Sequence, residues 1–303
     1  MSDASESANQ IAPADLAALA LRMRQPADAA ALLFNYVFHG ASLKPRHVPS
    51  LTRIFEQVIA LGHVAMPLQV RALCHGKDVL DFGCGATLYG PALRALGANT
   101  YTGVDQALDM KRKKFRSRLQ KKTVDLPFSL ADVAHMMPGV SYIRANAVNS
   151  REAWDVVIMQ SVTHLLENPA ATMAQISRAL RPGGQVWILH ENYYAWGGHQ
   201  KEPRSPAAFD PANADHMKFA DWRHVVPDQR PAEPVVMPLR LPQLRELVSA
   251  HFEIGKWEEV PDRSVIRPRL TPEVRARLAG YADQELLTKQ VVLTARKRSV
   301  DFD

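Results

Sequence analysis

The stretch Val79-Leu80-Asp81-Phe82-Gly83-Cys84-Gly85-Ala86 decides how the rest of the chain is read. Its apolar half reads as a strand and its Gly-rich half as a turn leading into a helix from Tyr89 to Leu96. Glycines there let backbone approach a ligand closely, and the helix N-terminus beyond favours negative or electron-rich groups. One strand later, Tyr101-Thr102-Gly103-Val104-Asp105 ends in an acid 24 residues after Asp81. An acid at the tip of the second strand of such a unit is placed to accept both hydroxyls of a ribose. A dinucleotide fingerprint would put a third glycine at position 88, which here is Leu88, so the pattern argues against NAD.

Outward from this turn, short apolar runs alternate with helical segments. Strands are expected at Asp78–Phe82, Thr100–Val104, Val140–Ala145, Trp154–Met159 and Gln185–Leu189. Helices are expected at Tyr89–Leu96, Ser129–Met137 and Pro169–Leu180. Strands and helices in alternation indicate an α/β fold with a parallel sheet. Upstream, the chain reads as helical throughout: one helix opened by Asp15, one from Pro26 to Gly40, one from Pro49 to Leu61 and one from Met66 to Cys74. Downstream, the segment from Glu191 to Pro242 holds eight of the 21 prolines and is too long for a plain loop, which marks it as a lid or substrate-shaping insertion. A helix at Leu241–Ala250, a strand at Phe252–Glu258, a helix at Pro272–Leu278 and a strand at Val291–Arg296 follow.

Further motifs join the turn. Trp154-Asp155-Val156-Val157-Ile158-Met159-Gln160 runs into Ser161-Val162-Thr163-His164-Leu165, and Leu180-Arg181-Pro182-Gly183-Gly184 precedes Gln185-Val186-Trp187-Ile188. In this order and at these separations, the three motifs resemble the class I S-adenosylmethionine-dependent methyltransferases of small-molecule type, closely over residues 75–190 and loosely over 240–298. The resemblance implies a Rossmann-like, mostly parallel seven-stranded sheet of order 3-2-1-4-5-7-6 with its last strand antiparallel, an N-terminal helical cap and a lid insertion. It implies S-adenosyl-L-methionine as cofactor and S-adenosyl-L-homocysteine as product. By position, Gly83, Cys84 and Gly85 would wrap the methionine portion and Asp81 support its amino group. Asp105 would hold the ribose, Gln106 would lie alongside the adenine, Asn146 and Ala147 would address it, and Gln160 would border the methyl-transfer cavity. Two residues depart from the family pattern: Thr87 stands at the third glycine position, and Asn146 replaces the usual acid. An Asn side-chain carbonyl still accepts a hydrogen bond from the adenine amino group.

Five of the 11 histidines fall between His164 and His224. Neutral imidazole is the ordinary general base near pH 7. His164, directly after the fourth strand, and His199, closing Tyr193-Tyr194-Ala195-Trp196-Gly197-Gly198, are the catalytic candidates. Tyr193, Tyr194 and Trp196 are read as an aromatic wall around the acceptor or as packing. His190, His199, Asp215 and His216 match no dedicated metal spacing, and no metal site is expected. Between Asp109 and Asp125 lie eight basic residues and no acid, with Phe115 and Leu119 at helical spacing, so a helix with one docked and one cationic face is expected.

The 303 residues divide accordingly: a disordered tail at 1–12, a helical cap at 13–75, a cofactor-binding core at 76–191, a lid at 192–240 and completion of the sheet at 241–303. The composition, 47% hydrophobic and 22% charged, is that of a globular chain. Cys74 and Cys84 form no disulfide framework, the opening residues carry acids and serines, and no apolar run reaches 18 residues. These features point to the cytoplasm and away from membranes. The net charge of +6 permits an anionic acceptor. The reading is methyl transfer to an O or N atom of a small, optionally anionic metabolite, by a monomer or homodimer. Nucleic acid is disfavoured because no tetrad for flipped-base methylation follows the fourth strand. The alternatives are an RNA or protein methyltransferase using the basic 111–122 face, and an inactive cofactor-binding regulatory protein.

Overall fold

Strand β1 (Asp78–Phe82) is buried along Val79–Phe82, as expected of a central strand covered on both faces. It pairs in parallel with β2 (Thr100–Val104) on one side and with β6 (Trp154–Gln160) on the other. The β2 strand pairs in parallel with β5 (Val140–Ile143). The computed structural model describes residues 26–226, 228, 238–261 and 266–298. The expected tail at 1–12 and the helix opened by Asp15 lie outside the described residues. With β7 (Leu180–Glu191), β8 (Phe252–Pro261) and β9 (Thr288–Lys297), the strands form one seven-stranded sheet of order β5-β2-β1-β6-β7-β9-β8. Numbered within the sheet alone, that is third, second, first, fourth, fifth, seventh and sixth, with the seventh strand antiparallel to both neighbours.

The chain packs as two units, one of residues up to 148 with 153–158 and the other of 149–152 with 159 onward. In the first, helices Pro26–Phe38 and Val48–Ala60 pack against Tyr89–Ala95, the helix that follows β1. The expected helix at Met66–Cys74 is two short pieces, Ala65–Gln69 and Arg71–Cys74, because Val70 takes a non-helical ψ of 7°. Helix Leu130–Met136 starts at a capping box, in which Ser129 Oγ accepts from Asp132 N–H and Asp132 Oδ2 from Ser129 N–H. In the second unit, Asn168 caps helix Pro169–Ala179 through Ala171 N–H, and β7 starts at Leu180, with its pairing to β9 running from Gln185 to Glu191.

The basic run departs from its expected helix. It forms a two-stranded antiparallel hairpin, β3 (Lys114–Arg116) with β4 (Thr123–Asp125), outside the main sheet. Strand alternation sends Phe115 inward, fully buried and 6.1 Å from the Phe128 ring, while all eight cations stay exposed. Leu119, expected on the same buried face, is 52% exposed at the hairpin's loop. Among the described residues no helix is long and apolar enough to cross a membrane. The hairpin makes Phe115→Ala a cavity mutation costing about 3–5 kcal/mol in chemical denaturation. Leu119→Ala will cost under ~1 kcal/mol, whereas a shared helical face would have made the two losses comparable.

Candidate functional site

The turn after β1 is tied down at Gly83, Cys84, Gly85, Thr87 and Leu88. Gly83 and Gly85 sit at φ +78° and +57°, where a side chain would be strained. Gly83 N–H donates to Val104 O at 2.7 Å and Cys84 N–H to the same oxygen at 3.3 Å. Gly85 N–H donates to Asp105 Oδ2 at 3.0 Å, and Ala107 N–H to Asp105 Oδ1 at 2.7 Å. A carboxylate offers about four lone-pair sites, so each oxygen of Asp105 keeps one for a ribose hydroxyl. A Cβ built on Gly85 meets nothing within 4 Å, leaving open space above the turn.

The loops after β2 and β5 are bound to each other. Ala145 N–H donates to Asp105 O at 3.3 Å, and Arg144 Nε to Gln106 O at 3.2 Å. These contacts gather Asp105, Gln106, Asn146 and Ala147 at the carboxyl ends of neighbouring parallel strands, where open α/β sheets bind ligands. Gln106 and Asn146 are exposed and Ala147 is half-buried. The first unit therefore brings the expected nucleoside-facing residues together with the glycine turn. Thr87 fits this arrangement: it is buried, its hydroxyl donates to Cys84 O at 3.1 Å, and it braces the turn from within.

Asp81 lies beneath the turn, with 1% of its surface exposed, and accepts from Tyr101 Oη at 2.8 Å. Burial pushes its pKa up to about 7, against the opposing pull of the Tyr101 hydrogen bond. Cys84 Sγ would be 2.8 Å from a Cβ on Gly103, so only glycine on β2 lets the turn settle this close. Cys84 and Cys74 are both buried free thiols, and burial raises the pKa of each. Tyr101 and Gly103, like Tyr142, whose ring packs edge-on against Tyr101, are supports that sequence reading did not single out.

The second unit holds the remaining candidates. Gln160 ends β6 with Oε1 buried and without a partner, and Ser161 follows at a left-handed φ of +52°. Ser161 Oγ donates to Glu191 Oε1 at 2.9 Å, and Gln290 Nε2 reaches both oxygens of Glu191. Thr163 Oγ1 and His190 Nδ1 share a 2.8 Å hydrogen bond. His190 is fully buried with Nε2 unpartnered, and burial lowers its pKa to about 3. His164 is also buried with Nδ1 unpartnered; burial lowers its pKa while Glu191 pulls it back up.

His199 stacks on Phe219 at 4.4 Å, and burial takes its pKa down to about 3. Its Nδ1 accepts from Lys201 N–H at 3.1 Å, so in the neutral ring Nε2 carries the proton. That Nε2–H is buried without a partner, so His199 presents a donor rather than the proton acceptor expected of it. The aromatic wall also takes a different place. Tyr193, Tyr194 and Trp196 belong to a hydrophobic core with Trp222, Leu278 and Leu286, and Tyr193 Oη donates to His224 O at 3.0 Å. Packing inside the unit is what these rings do. His190 is buried whereas Asp215 is exposed and His216 half-buried, and among the described residues no group of three or more His, Cys, Asp or Glu is arranged to hold a metal.

Residues 47–248 match the family model for a methyltransferase domain. The lovastatin nonaketide synthase mokA of Monascus pilosus is 26% identical over 204 residues, covering 63% of this chain and 6% of that protein. The ubiquinone biosynthesis O-methyltransferase of Ralstonia nicotianae is 27% identical over 137 residues, covering 43% of this chain and 50% of that enzyme. The chain thus spans half or less of the length of these relatives. The crystal structure of an S-adenosylmethionine dependent methyltransferase from Mesorhizobium loti aligns at a TM-score of 0.44 and 20% identity, covering 76% of this chain and 96% of that one.

The raised pKa of Asp81 makes its burial pH-dependent. Below about pH 4 the carboxyl is protonated in both folded and unfolded chains; as pH rises toward 7 only the unfolded chain gives up the proton freely, and stability is lost. Asp81→Asn removes this dependence. The stability of the wild type relative to Asp81→Asn will fall by up to about 4 kcal/mol between pH 4 and pH 7, at 1.36 kcal/mol per unit, in denaturant titrations of the cofactor-free chain.

Proposed function

This chain belongs to the class I S-adenosylmethionine-dependent methyltransferases, and from that premise we propose that it methylates an O or N atom of a small metabolite. The observation that carries the reading is Asp105, fixed by Gly85 and Ala107 N–H with one lone pair per oxygen left for a ribose. The residues suit S-adenosylmethionine: open space lies over Gly85, and the exposed amides of Gln106 and Asn146 flank Asp105 with donors and acceptors for an adenine edge. S-adenosylmethionine supplies an activated methyl group on a sulfonium. The turn at Gly83–Gly85 takes the methionine portion, Asp105 the ribose, and Asn146 and Ala147 the adenine. Asp81, being buried, supports the turn from below.

With the methyl group already activated, the protein aligns the acceptor and removes a proton where the acceptor carries one. His164 is the base, because Glu191 offsets the effect of burial on it, whereas His190 and His199 are pushed much further from neutrality. His199 Nε2–H orients the acceptor by donating to it. A small acceptor is favoured over nucleic acid because the cationic hairpin has no exposed ring on which a base could stack, its Phe115 being fully buried. The similarity to the O-methyltransferase of Ralstonia nicotianae supports oxygen as the acceptor atom. The buried free thiols Cys74 and Cys84 suit a reducing compartment such as the cytoplasm.

Calorimetric titration with S-adenosylhomocysteine tests the cofactor reading. Asp105→Ala will weaken binding at least tenfold, since hydrogen bonds to a charged group contribute roughly 1.5–3 kcal/mol; unchanged affinity removes the ribose assignment. A panel of phenolic and amine acceptors, followed by S-adenosylhomocysteine release, identifies the substrate class. With an acceptor in hand, His164→Ala will lower kcat by about 10²–10⁴ with cofactor affinity intact. His199→Ala will chiefly raise KM for the acceptor, and a variant with unaltered kinetics removes His199 from the site.

A further inference from the structure

The helix that follows the cofactor turn begins without a side-chain cap from its own sequence: Leu88 stands at its N-cap and contributes none. Leu88 N–H instead donates to His63 Nδ1 at 3.0 Å, across 25 residues of sequence. His63 is fully buried, and burial lowers its pKa to about 4, so the ring is neutral near pH 7. With Nδ1 accepting, Nε2 carries the proton and donates to Arg116 O, 2.9 Å away at the end of β3. The ring is held from the side as well. Tyr89 packs edge-on against it at 5.5 Å, Arg118 Nε donates to Tyr89 Oη at 3.1 Å, and Arg118 N–H donates to Leu61 O at 2.8 Å. One imidazole therefore ties the end of the cofactor turn to the basic hairpin, with a different ring nitrogen serving each.

We propose that His63 is a positioning residue for the cofactor: by accepting from Leu88 N–H it fixes the far end of the Gly83–Thr87 turn against the Asp105 end. The inference rests on the S-adenosylmethionine reading of that turn. At the near end Gly83, Cys84 and Gly85 are anchored to β2 and to Asp105; Thr87 is braced only to neighbours within the turn and to Tyr142 Oη, 3.5 Å from its carbonyl oxygen. Without the His63 bond the Leu88 N–H is a buried donor with no partner, and the turn's glycines are free to drift relative to Asp105. An error of about 1 Å in such a constellation is enough to forfeit binding. The Nε2 bond to Arg116 O serves the hairpin instead, so the two bonds of one ring have separable consequences.

Asn and Gln separate them by geometry. Asn Oδ1 lies as many bonds from Cα as His Nδ1 and keeps the acceptor for Leu88. Gln Nε2 lies as many bonds from Cα as His Nε2 and keeps the donor for Arg116. The experiment titrates S-adenosylhomocysteine into the full chain as wild type, His63→Asn and His63→Gln, and measures thermal unfolding of all three. Each variant gives up one buried hydrogen bond and melts below the wild type. His63→Gln will bind the cofactor product at least tenfold more weakly, while His63→Asn stays within about threefold of the wild type. Equal losses in the two variants, or none in either, overturn the proposal by reducing His63 to a packing role. A wild-type chain that does not bind S-adenosylhomocysteine overturns the cofactor reading itself, an outcome visible before either variant is compared.

Discussion

The turn after β1 has no secondary structure to satisfy its own N–H groups, and a buried, unpaired backbone donor is costly. Most of these donors find an oxygen or nitrogen contributed by another part of the first unit. Val104 O takes two, Asp105 takes one, His63 takes the last at Leu88, and Thr87 N–H turns back to Gly85 O at 3.0 Å. Much of the unit is arranged around these acceptors. Strand β2 has to end beside Gly83, the acid has to follow at 105, and the N-terminal helices have to bring position 63 against the start of the next helix.

Beneath the turn the same economy has a cost. Asp81 is a carboxyl group out of water that accepts from the Tyr101 hydroxyl, and burial moves its pKa up to about 7 against the pull of that hydrogen bond and of the Arg118 charge. Burying a charge is unfavourable by several kcal/mol unless it is paired or neutralised. Tyr101 is the partial remedy, and Gly103 is what lets Cys84 and Tyr101 share the space under the turn.

How much of this was legible depended on sequence distance. The strand, turn and acid from Val79 to Asp105 lie in one short window, where alternation and glycine chemistry act locally, and the parallel sheet with its glycine turn beside Asp105 follows from them. His63 lay beyond reach, because nothing local to residue 63 announces a bond to residue 88. The basic run is ambiguous for a different reason: Phe115 and Leu119 satisfy a helical period of about 3.6 and equally leave a strand with one buried residue, and charged residues carry no periodicity to arbitrate. Tyr193, Tyr194 and Trp196 look alike as a substrate wall or as core, and only the packing of Trp222, Leu278 and Leu286 around them decides the matter.

The second unit states its requirements through what is left unsatisfied. A buried polar atom without a partner costs about 1–3 kcal/mol, and folded proteins keep few of them. Gln160 Oε1, His164 Nδ1, His190 Nε2 and His199 Nε2 are such atoms, all on side chains at or shortly after the carboxyl ends of β6 and β7. Their chemistry is not interchangeable. His199 has been turned by Lys201 into a donor, while Gln160 offers an acceptor. Glu191, held by Ser161 and Gln290, pulls the pKa of His164 back up against the effect of burial. His190, locked to Thr163 and far from titration, serves as a neutral hydrogen-bonding group. Taken one by one, these atoms call for different partners: His199 Nε2–H lacks an acceptor, whereas Gln160 Oε1 lacks a donor.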